Sequence, residues 1–305
     1  MHDRQAINRT EPVAGSPMAT AGAAAGRSLP RPWPMFESST WWSRLTAARR
    51  SVLMLDYDGT LAPFVRDRLR ASMYRGVSER LLRMSNSPLL RLVLISGRPA
   101  RELSSLLPEG LKVELWGSHG RERLNPDGGY TAVALRPAQQ ECLNRLEAAL
   151  HRRALGYVIE KKVGSVALHT RGLGADESRQ ITDLARSFTC SIAGDAPEES
   201  SLEWLPFDGG IELRGTGCTK ATAVYSILRD ERPNTPAAYL GDDLTDEDAF
   251  VALRECGRGG MYLPVLVRPE VRASVADLWL RPPEDLLAFL DRWLAAAGSL
   301  SEETA

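Results

Sequence analysis

Residues 51–63 read Ser-Val-Leu-Met-Leu-Asp-Tyr-Asp-Gly-Thr-Leu-Ala-Pro and join a short apolar run to two carboxylates and a glycine. The run Val52–Leu55 is short and continuously apolar, which is typical of a strand buried on both faces of a parallel sheet. Such a strand brings the residues after it to the carboxyl edge of the sheet, where open α/β folds bind their ligands. The stretch therefore predicts an α/β fold with Asp56 and Asp58 at that edge.

The pair Asp56 and Asp58 predicts a metal site. Their like charges repel unless a cation lies nearby, and Mg²⁺ is usually held by one or two carboxylates together with substrate phosphate. Gly59 allows a sharp turn, and Thr60 offers a hydroxyl and an amide to an anion. The alternative is a strand that ends in an acidic turn without a metal.

Two further apolar runs end in residues suited to phosphate or sugar. Leu89–Ile95 ends in Ser96, Gly97 and Arg98. The serine hydroxyl can donate to a phosphate oxygen, although Ser is also an ordinary helix cap. His119 lies between two glycines after another predicted strand, and it has either a structural role or a contact with a sugar hydroxyl.

The C-terminal half supplies a lysine and a second group of acids. Lys220 lies near the start of a predicted helix, a position that disfavours a cation unless it has a partner. The run 237–241 predicts a buried strand that leads into Asp242, Asp243 and Asp246, part of a cluster of five acids in seven positions. A divalent cation would explain the first of these acids, and a helix N-terminus would favour the later ones.

The middle of the chain, residues 124–208, predicts a separate α+β insert that covers the site. Two strand-like pieces there carry Glu160, Lys162 and Arg171. In a strand, Glu160 and Lys162 point to the same face. They form either a solvated cross-strand pair or a contact surface for a polyol phosphate.

Composition limits the function classes. The 305 residues are 43% hydrophobic and 25% charged, with a formal net charge of −1. We therefore expect a globular protein that binds neither nucleic acid nor a membrane. The four cysteines lack metal-site spacing, which favours thiols in a reducing cytoplasm. Residues 1–36 are expected to form a disordered tail.

Taken in chain order, these motifs resemble the haloacid dehalogenase-like (HAD) phosphatases. Residues 56–63, the Ser-Gly-Arg of 96–98 and the acidic stretch 241–248 carry the likeness. The motifs at 117–120, 160–162 and 169–171 narrow it to the trehalose-6-phosphate phosphatases. The resemblance implies a Rossmann-like parallel-sheet core with an inserted α+β cap. The expected bounds are core 37–123 and 209–297, cap 124–208, and a flexible C-terminal tail over 298–305.

The resemblance also implies a role for each motif residue. Asp56 would be the nucleophile, Asp58 the general acid and base, and Lys220 the catalytic cation. Mg²⁺ would be held by Asp56, Asp58 through its backbone carbonyl, and Asp242. The expected substrate contacts are Thr60, Ser96, Gly97, Arg98, His119, Glu160, Lys162 and Arg171, with Asp243 and Asp246 in support.

The expected function is Mg²⁺-dependent hydrolysis of trehalose 6-phosphate through an aspartyl-phosphate, the last step of trehalose biosynthesis. One alternative is another sugar phosphate, such as sucrose phosphate or a glycosyl-phosphoglycerate. A further alternative is a non-catalytic subunit that binds a sugar phosphate. The resemblance also suggests association with the trehalose-6-phosphate synthase, which cannot be read from the residues themselves.

Overall fold

The structure, a computed structural model, has two sheets and the helices that cover them. It describes residues 27–36, 39–65, 67–192, 202–207, 209–257 and 261–298. The strands are β1 Arg31–Pro32, β2 Ser51–Leu55, β3 Leu90–Ile95, β4 Glu114–Gly117, β5 Glu122–Leu124, β6 Tyr130–Ala132, β7 Ile159–Lys162, β8 Ser165–His169, β9 Leu202–Phe207, β10 Gly210–Gly215, β11 Ala237–Gly241, β12 Tyr262–Val267 and β13 Leu278–Leu280. The helices are α1 Thr40–Thr46, α2 Val77–Ser85, α3 Ala100–Ser105, α4 Pro137–His151, α5 Ala175–Ile192, α6 Lys220–Arg229, α7 Glu247–Cys256 and α8 Glu284–Gly298.

The larger sheet is the core of the molecule. Its strand order is β1-β13-β12-β11-β2-β3-β4-β5-β6, and the pairs from β1 through β4 are parallel. The strand β2 lies near the middle, where Leu55 pairs with Leu240 of β11 and with Leu94 of β3. All five β2 residues are buried. The predicted α/β fold with a parallel central sheet is confirmed.

Helices pack on both faces of this sheet. Leu53 and Leu55 pack with residues of α1, α2 and α8, whereas Val52 and Met54 pack with residues of α6 and α7. Successive strand residues point to opposite faces, so a strand covered on both sides has to be apolar at every position. Within the described ranges, no helix is both long and apolar enough to cross a membrane.

The N-terminal boundary of the core differs from the prediction. The expected disordered tail was wrong for residues 27–36, because β1 pairs in parallel with β13 and Trp33 is buried. The Trp33 ring packs edge-on against Trp42 and Phe289, which gives this short segment an apolar anchor. Residues 1–26 lie outside the described residues, as does most of the predicted C-terminal tail, since α8 extends to Gly298.

The smaller sheet, β7-β8-β10-β9, forms the cap, with α4 and α5 packed against it. The predicted α+β insert is present, but both of its expected bounds were wrong. The hairpin β5–β6 pairs with β4 and extends the core sheet, so the insert begins after Ala132. At the other end, β10 lies between β8 and β9, so the insert runs to Gly215. Strand pairing, which composition does not report, decides both bounds.

Candidate active site

The carboxyl edge of the core sheet brings together four predicted site residues, which we name the core edge: Asp56, Lys220, Asp242 and Asp246. Asp56 follows β2, Asp242 follows the neighbouring β11, and Lys220 is the first residue of α6. The Lys220 Nζ lies 3.0 Å from Asp56 Oδ1 and 2.6 Å from Asp246 Oδ1. Asp56, Asp242 and Asp246 each place a carboxylate oxygen within 4.8 Å of the others. All four side chains are buried.

Lys220 is held at the start of α6 by a capping box. The Thr219 hydroxyl accepts from the amide of Ala221 at 3.2 Å, and the Thr222 hydroxyl accepts from the amide of Thr219 at 3.0 Å. Burial alone would lower the pKa of the Lys220 ammonium, but Asp246 and Asp56 outweigh burial and hold that pKa well above its ordinary value. The lysine therefore stays charged between two carboxylates.

Asp246 is the most heavily contacted carboxylate of the core edge. It accepts from Lys220 Nζ at 2.6 Å and from the Tyr239 hydroxyl at 2.5 Å. The amides of Asp242 and Asp243 donate to its second oxygen at 3.0 and 3.1 Å. Both oxygens are thus occupied by protein donors. Asp246 thus holds Lys220 and the turn after β11 in place.

The other two carboxylates have a different environment. Burial, together with Asp246 and Asp58, raises the pKa of Asp56 well above its ordinary value, although Lys220 acts in the opposite direction. Burial and the neighbouring Asp246 and Asp56 also raise the pKa of Asp242. One ammonium does not balance three buried carboxylates. The oxygen-only donor set and the excess negative charge fit a divalent cation such as Mg²⁺.

The turn after Asp56 brings the first and last motifs into contact. Gly59 has a φ of +81°, and a Cβ there would lie 2.2 Å from Asp242 Oδ2. Only glycine permits this close approach. The Thr60 hydroxyl is buried and has no hydrogen-bond partner among the described residues, so it is available to a ligand. Ser96 is buried at the neighbouring strand end, where its hydroxyl accepts from the amide of Arg98 at 3.1 Å.

Arg98 pairs with carboxylates of the protein at the end of β3. Its Nε and Nη2 donate to the two oxygens of Asp58 at 2.6 and 2.7 Å. Its Nη1 donates to Glu102 of α3 at 2.9 Å. The guanidinium is buried and contacts two protein carboxylates, so Arg98 links Asp58 to α3. A direct contact of Arg98 with substrate stays a prediction.

The loop after β11 is fixed by side chains that the motifs did not indicate. Asp243 accepts from the amide and hydroxyl of Thr245 at 2.6 and 2.7 Å. Arg268 Nη1 donates to the carbonyl of Asp242 at 3.0 Å, and Arg272 Nη2 donates to that of Asp243 at 2.7 Å. Two arginines thus hold the backbone that carries the Asp242 carboxylate.

The cap presents three charged residues toward the core, which we name the cap face: Glu160, Lys162 and Glu212. Lys162 Nζ lies 2.9 Å from Glu212 Oε2 and 3.5 Å from the carbonyl of Gly97 in the core. Glu160 Oε2 lies 2.7 Å from His169 Nε2. Burial would raise the pKa of Glu212, but Lys162 and His119 outweigh it and hold the pKa well below its ordinary value. The predicted pair Glu160 and Lys162 therefore faces the Ser-Gly-Arg turn.

Arg171, His119 and Gly97 make protein contacts that the sequence did not predict. Arg171 Nη1 donates to the carbonyl of Val65 at 3.0 Å, so it joins the cap to the core. The His119 ring is buried, and its Nε2 lies 3.8 Å from Glu212 Oε2. A Cβ on Gly97 would lie 2.7 Å from His119 Cε1, so this glycine makes room for the ring. Of the two alternatives for His119, these contacts support the structural role.

With this geometry established, comparison with known proteins identifies the family. A sequence model described as Trehalose-phosphatase matches residues 54–275, which include every motif above. The chain belongs to the trehalose-phosphatase family. The likeness that the motifs suggested is therefore confirmed.

Individual relatives support this family assignment, and solved structures support the fold. A protein of Mycolicibacterium paratuberculosis named trehalose-phosphate phosphatase is 29% identical over 260 residues, covering 81% of this chain and 62% of the relative. The chain thus spans less than two thirds of that protein. The C. albicans trehalose-6-phosphate phosphatase C-terminal domain has a TM-score of 0.69 at 21% identity, with 90% of this chain and 99% of that one covered. A haloacid dehalogenase-like hydrolase from Bacteroides thetaiotaomicron has a TM-score of 0.52 at 18% identity, with 80% and 99% covered, which supports the HAD-like fold.

Several residues of the site were not predicted from the sequence. Glu212 had a usable signal, since a single carboxylate inside the apolar strand β10 needs a buried partner. Arg268 and Arg272 follow an apolar strand, but arginines are common at strand ends and carry no motif. Glu102, which pairs with Arg98, lies one helical turn after it in α3. That spacing is typical of ordinary surface pairs, so it did not indicate that Glu102 lies near Asp58.

Proposed function

We propose that the chain hydrolyses trehalose 6-phosphate to trehalose and phosphate with Mg²⁺, as the last step of trehalose biosynthesis. The observation that carries this proposal is the meeting of Asp56, Lys220 and Asp242 at one buried edge of the core sheet. Membership of the trehalose-phosphatase family and the names of the relatives support the substrate. The position of the cap face beside Gly97 supports a substrate that carries a polar group beyond its phosphate.

In the first chemical step, an oxygen of Asp56 attacks phosphorus and the bond from phosphorus to the sugar oxygen breaks. Asp58 gives a proton to that departing oxygen. In the second step, water attacks the phosphorus of the aspartyl-phosphate while Asp58 takes the water proton. Phosphate leaves, and the Asp56 carboxylate is restored. Lys220, 3.0 Å from Asp56 Oδ1, balances charge on the nucleophile and on the phosphoryl oxygens.

Asp58 is paired with Arg98, which donates one hydrogen bond to each of its carboxylate oxygens. Each carboxylate oxygen can accept a second hydrogen bond, so the pair leaves Asp58 able to act at a leaving oxygen. Glu102 offers Arg98 a second carboxylate at 2.9 Å. We therefore place Arg98, itself held by Glu102, as the residue that orients Asp58 for proton transfer.

Asp56, Asp242 and the backbone carbonyl of Asp58 would hold the Mg²⁺. Asp246 lies in the same carboxylate cluster, but four protein donors already occupy its oxygens. Asp56 and Asp242 are therefore the better ligands. When bound, Mg²⁺ would neutralise the phosphoryl oxygens and lower the repulsion between phosphate and the attacking carboxylate. Thr60 and Ser96 would donate to the remaining phosphate oxygens.

The cap face would bind the sugar. The Oε1 of Glu160 is buried and has no hydrogen-bond partner among the described residues, so it can accept from a sugar hydroxyl. Lys162 would donate to a hydroxyl or to the phosphate. A cytoplasmic location belongs to the same proposal, supported by the free thiols of Cys142, Cys218 and Cys256. Association with a synthase stays a prediction.

The test is phosphate release from trehalose 6-phosphate, sucrose 6-phosphate and glucose 6-phosphate, each with Mg²⁺ and with a chelator. We expect the highest kcat/KM for trehalose 6-phosphate, loss of release with the chelator, and recovery when Mg²⁺ is restored. A preference for another sugar phosphate would overturn the substrate, and turnover that survives the chelator would overturn the metal requirement. Binding of sugar phosphate without release would favour the non-catalytic alternative.

A further inference from the structure

Arg68 forms an ion-pair bridge between the core and the cap. It opens a short 3-10 helix, Arg68–Arg70, whose preceding residue Asp67 caps it through the side chain. Its Nη2 lies 2.6 Å from Glu102 Oε2 of α3, and its Nη1 pairs with Glu160 of the cap face. Neither Arg68 nor Glu102 belongs to the motifs that define the family resemblance. The family motifs therefore do not account for this bridge.

The chemistry of this bridge suits arginine. A planar guanidinium can contact two carboxylates at once through separate nitrogens, which a lysine ammonium does less well. The side chains of Glu102 and Glu160 are only 16% and 13% exposed, so water screens their charges incompletely. Two carboxylates brought together at a domain boundary repel unless a cation lies between them. Arg68 supplies that cation and makes contact between the domains favourable.

A second contact lies in the same core segment. Arg171 of the cap donates to the carbonyl of Val65 at 3.0 Å, three residues before Arg68. The segment that follows the first motif therefore meets the cap at two points. One of these is a backbone acceptor and the other is a charged side chain. Of the two, only the contact of Arg68 uses a side chain of the core segment.

The two carboxylate oxygens of Glu160 differ in their partners. Its Oε2 contacts both His169 and Arg68. Its Oε1 is buried and has no hydrogen-bond partner in the part of the chain that the structure describes. A buried carboxylate oxygen without a donor is costly, and a hydroxyl from a ligand would remove that cost. Arg68 thus holds one oxygen of Glu160, and the other oxygen keeps its acceptor capacity for a ligand.

We propose that Arg68 is a positioning residue that closes the cap on the core and orients Glu160 toward a sugar hydroxyl. The sugar contact rests on the proposed function, whereas closure of the cap does not. The bridge continues from Glu102 to Arg98 and from there to Asp58.

The test compares three variants. Arg68→Gln removes the charge, Arg68→Lys keeps the charge without the planar fork, and Arg70→Gln is the matched control. Arg70 lies in the same 3-10 helix, is 86% exposed and pairs with Asp67 at 3.3 Å. Amide hydrogen exchange of the substrate-free proteins reports closure. We expect faster exchange in β7 of Arg68→Gln, partial recovery in Arg68→Lys, and wild-type exchange in Arg70→Gln and in α4 of all three.

Kinetics then test the orientation of Glu160. For Arg68→Gln we expect kcat/KM for trehalose 6-phosphate to fall about tenfold, mainly through KM, because a charge-assisted contact is lost. Hydrolysis of p-nitrophenyl phosphate, which lacks the sugar, should stay near the wild-type rate. Wild-type exchange in β7 of Arg68→Gln would overturn closure, and equal losses on both substrates would overturn the orienting role. If the wild-type protein leaves trehalose 6-phosphate intact, the proposed function fails while the exchange data still decide closure.

Discussion

The core edge and the cap face both set carboxylates beside cations, but they differ in where the partners come from. At the core edge, the partners that hold Asp246 and Lys220 among the described residues come from the core itself, and their side chains are 0% and 4% exposed. At the cap face, Glu160 and Lys162 meet both cap residues and core residues. A site built inside one domain is fixed by folding. A site shared between two domains depends on how they meet.

This difference separates chemistry from selection. We expect changes at the core edge to remove turnover for every phosphate ester, because that site handles the phosphoryl group alone. Changes at the cap face should alter which ester is preferred. Substitutions at the two sites should therefore differ in which esters they affect.

Asp56→Asn should lower turnover by roughly a thousandfold or more, since an amide oxygen is a poor nucleophile toward phosphorus. The loss should be equal for trehalose 6-phosphate and p-nitrophenyl phosphate when phosphate release is measured. Asp127→Asn is the matched control, because Asp127 lies in the exposed turn of the β5–β6 hairpin. Near-wild-type turnover in Asp56→Asn, with native circular dichroism, would remove Asp56 as the nucleophile.

Asp242→Asn should weaken Mg²⁺ binding by roughly a hundredfold, because a ligand charge is lost. Isothermal titration of the substrate-free protein measures this without relying on activity. Arg272→Gln should have a smaller effect in the same direction, since it loosens the carbonyl of Asp243 and leaves the Asp242 carboxylate in place. Unchanged Mg²⁺ affinity in Asp242→Asn would place the metal elsewhere.

Glu160→Gln should lower kcat/KM for trehalose 6-phosphate by about tenfold and leave p-nitrophenyl phosphate hydrolysis nearly unchanged. Glu147→Gln is the control within the cap, because Glu147 pairs with Lys161 at 2.6 Å. The ratio of the two substrates is the quantity to compare. If Glu160→Gln slows both esters equally, the division between core edge and cap face is wrong.

Glu212→Gln should change how cap stability depends on pH, by an amount on the order of 1 kcal/mol. The Glu212 pKa is depressed in the folded state, so its stabilising contribution is present above its ordinary value of 4.5 and is lost as pH falls below it. Urea unfolding between neutral pH and pH 3 should therefore show a shallower acid loss in the variant than in the wild type. Parallel curves would mean that Lys162 and His119 do not stabilise the Glu212 carboxylate.

The features that could be predicted from the sequence are those that show as a local pattern of residues. The run Val52–Leu55 is apolar at every position because helices cover both faces of β2, and this is visible in the letters. Acids at the ends of β2 and β11 had to meet because those strands are neighbours in a parallel sheet. Lys220 needed a partner at a helix start, and the partners are Asp56 and Asp246.

What the sequence did not reveal depends on pairing between distant segments. The cap bounds shifted because β10 joined the cap sheet and the β5–β6 hairpin joined the core sheet. Arg98 was expected at the substrate because its motif lies at a strand end, but Asp58 and Glu102 compete for the same guanidinium. Which carboxylate an arginine meets is settled by tertiary packing, and spacing along the chain does not encode it.

Hydrolysis through an aspartyl-phosphate requires the carboxylate of Asp56 to accept the phosphoryl group. The stereochemistry at phosphorus reports this, using an isotopically chiral phosphorothioate analogue of trehalose 6-phosphate hydrolysed in labelled water. Two successive in-line displacements, first by Asp56 and then by water, predict retention of configuration. Inversion would mean that water attacks the ester directly and that Asp56 is not the nucleophile.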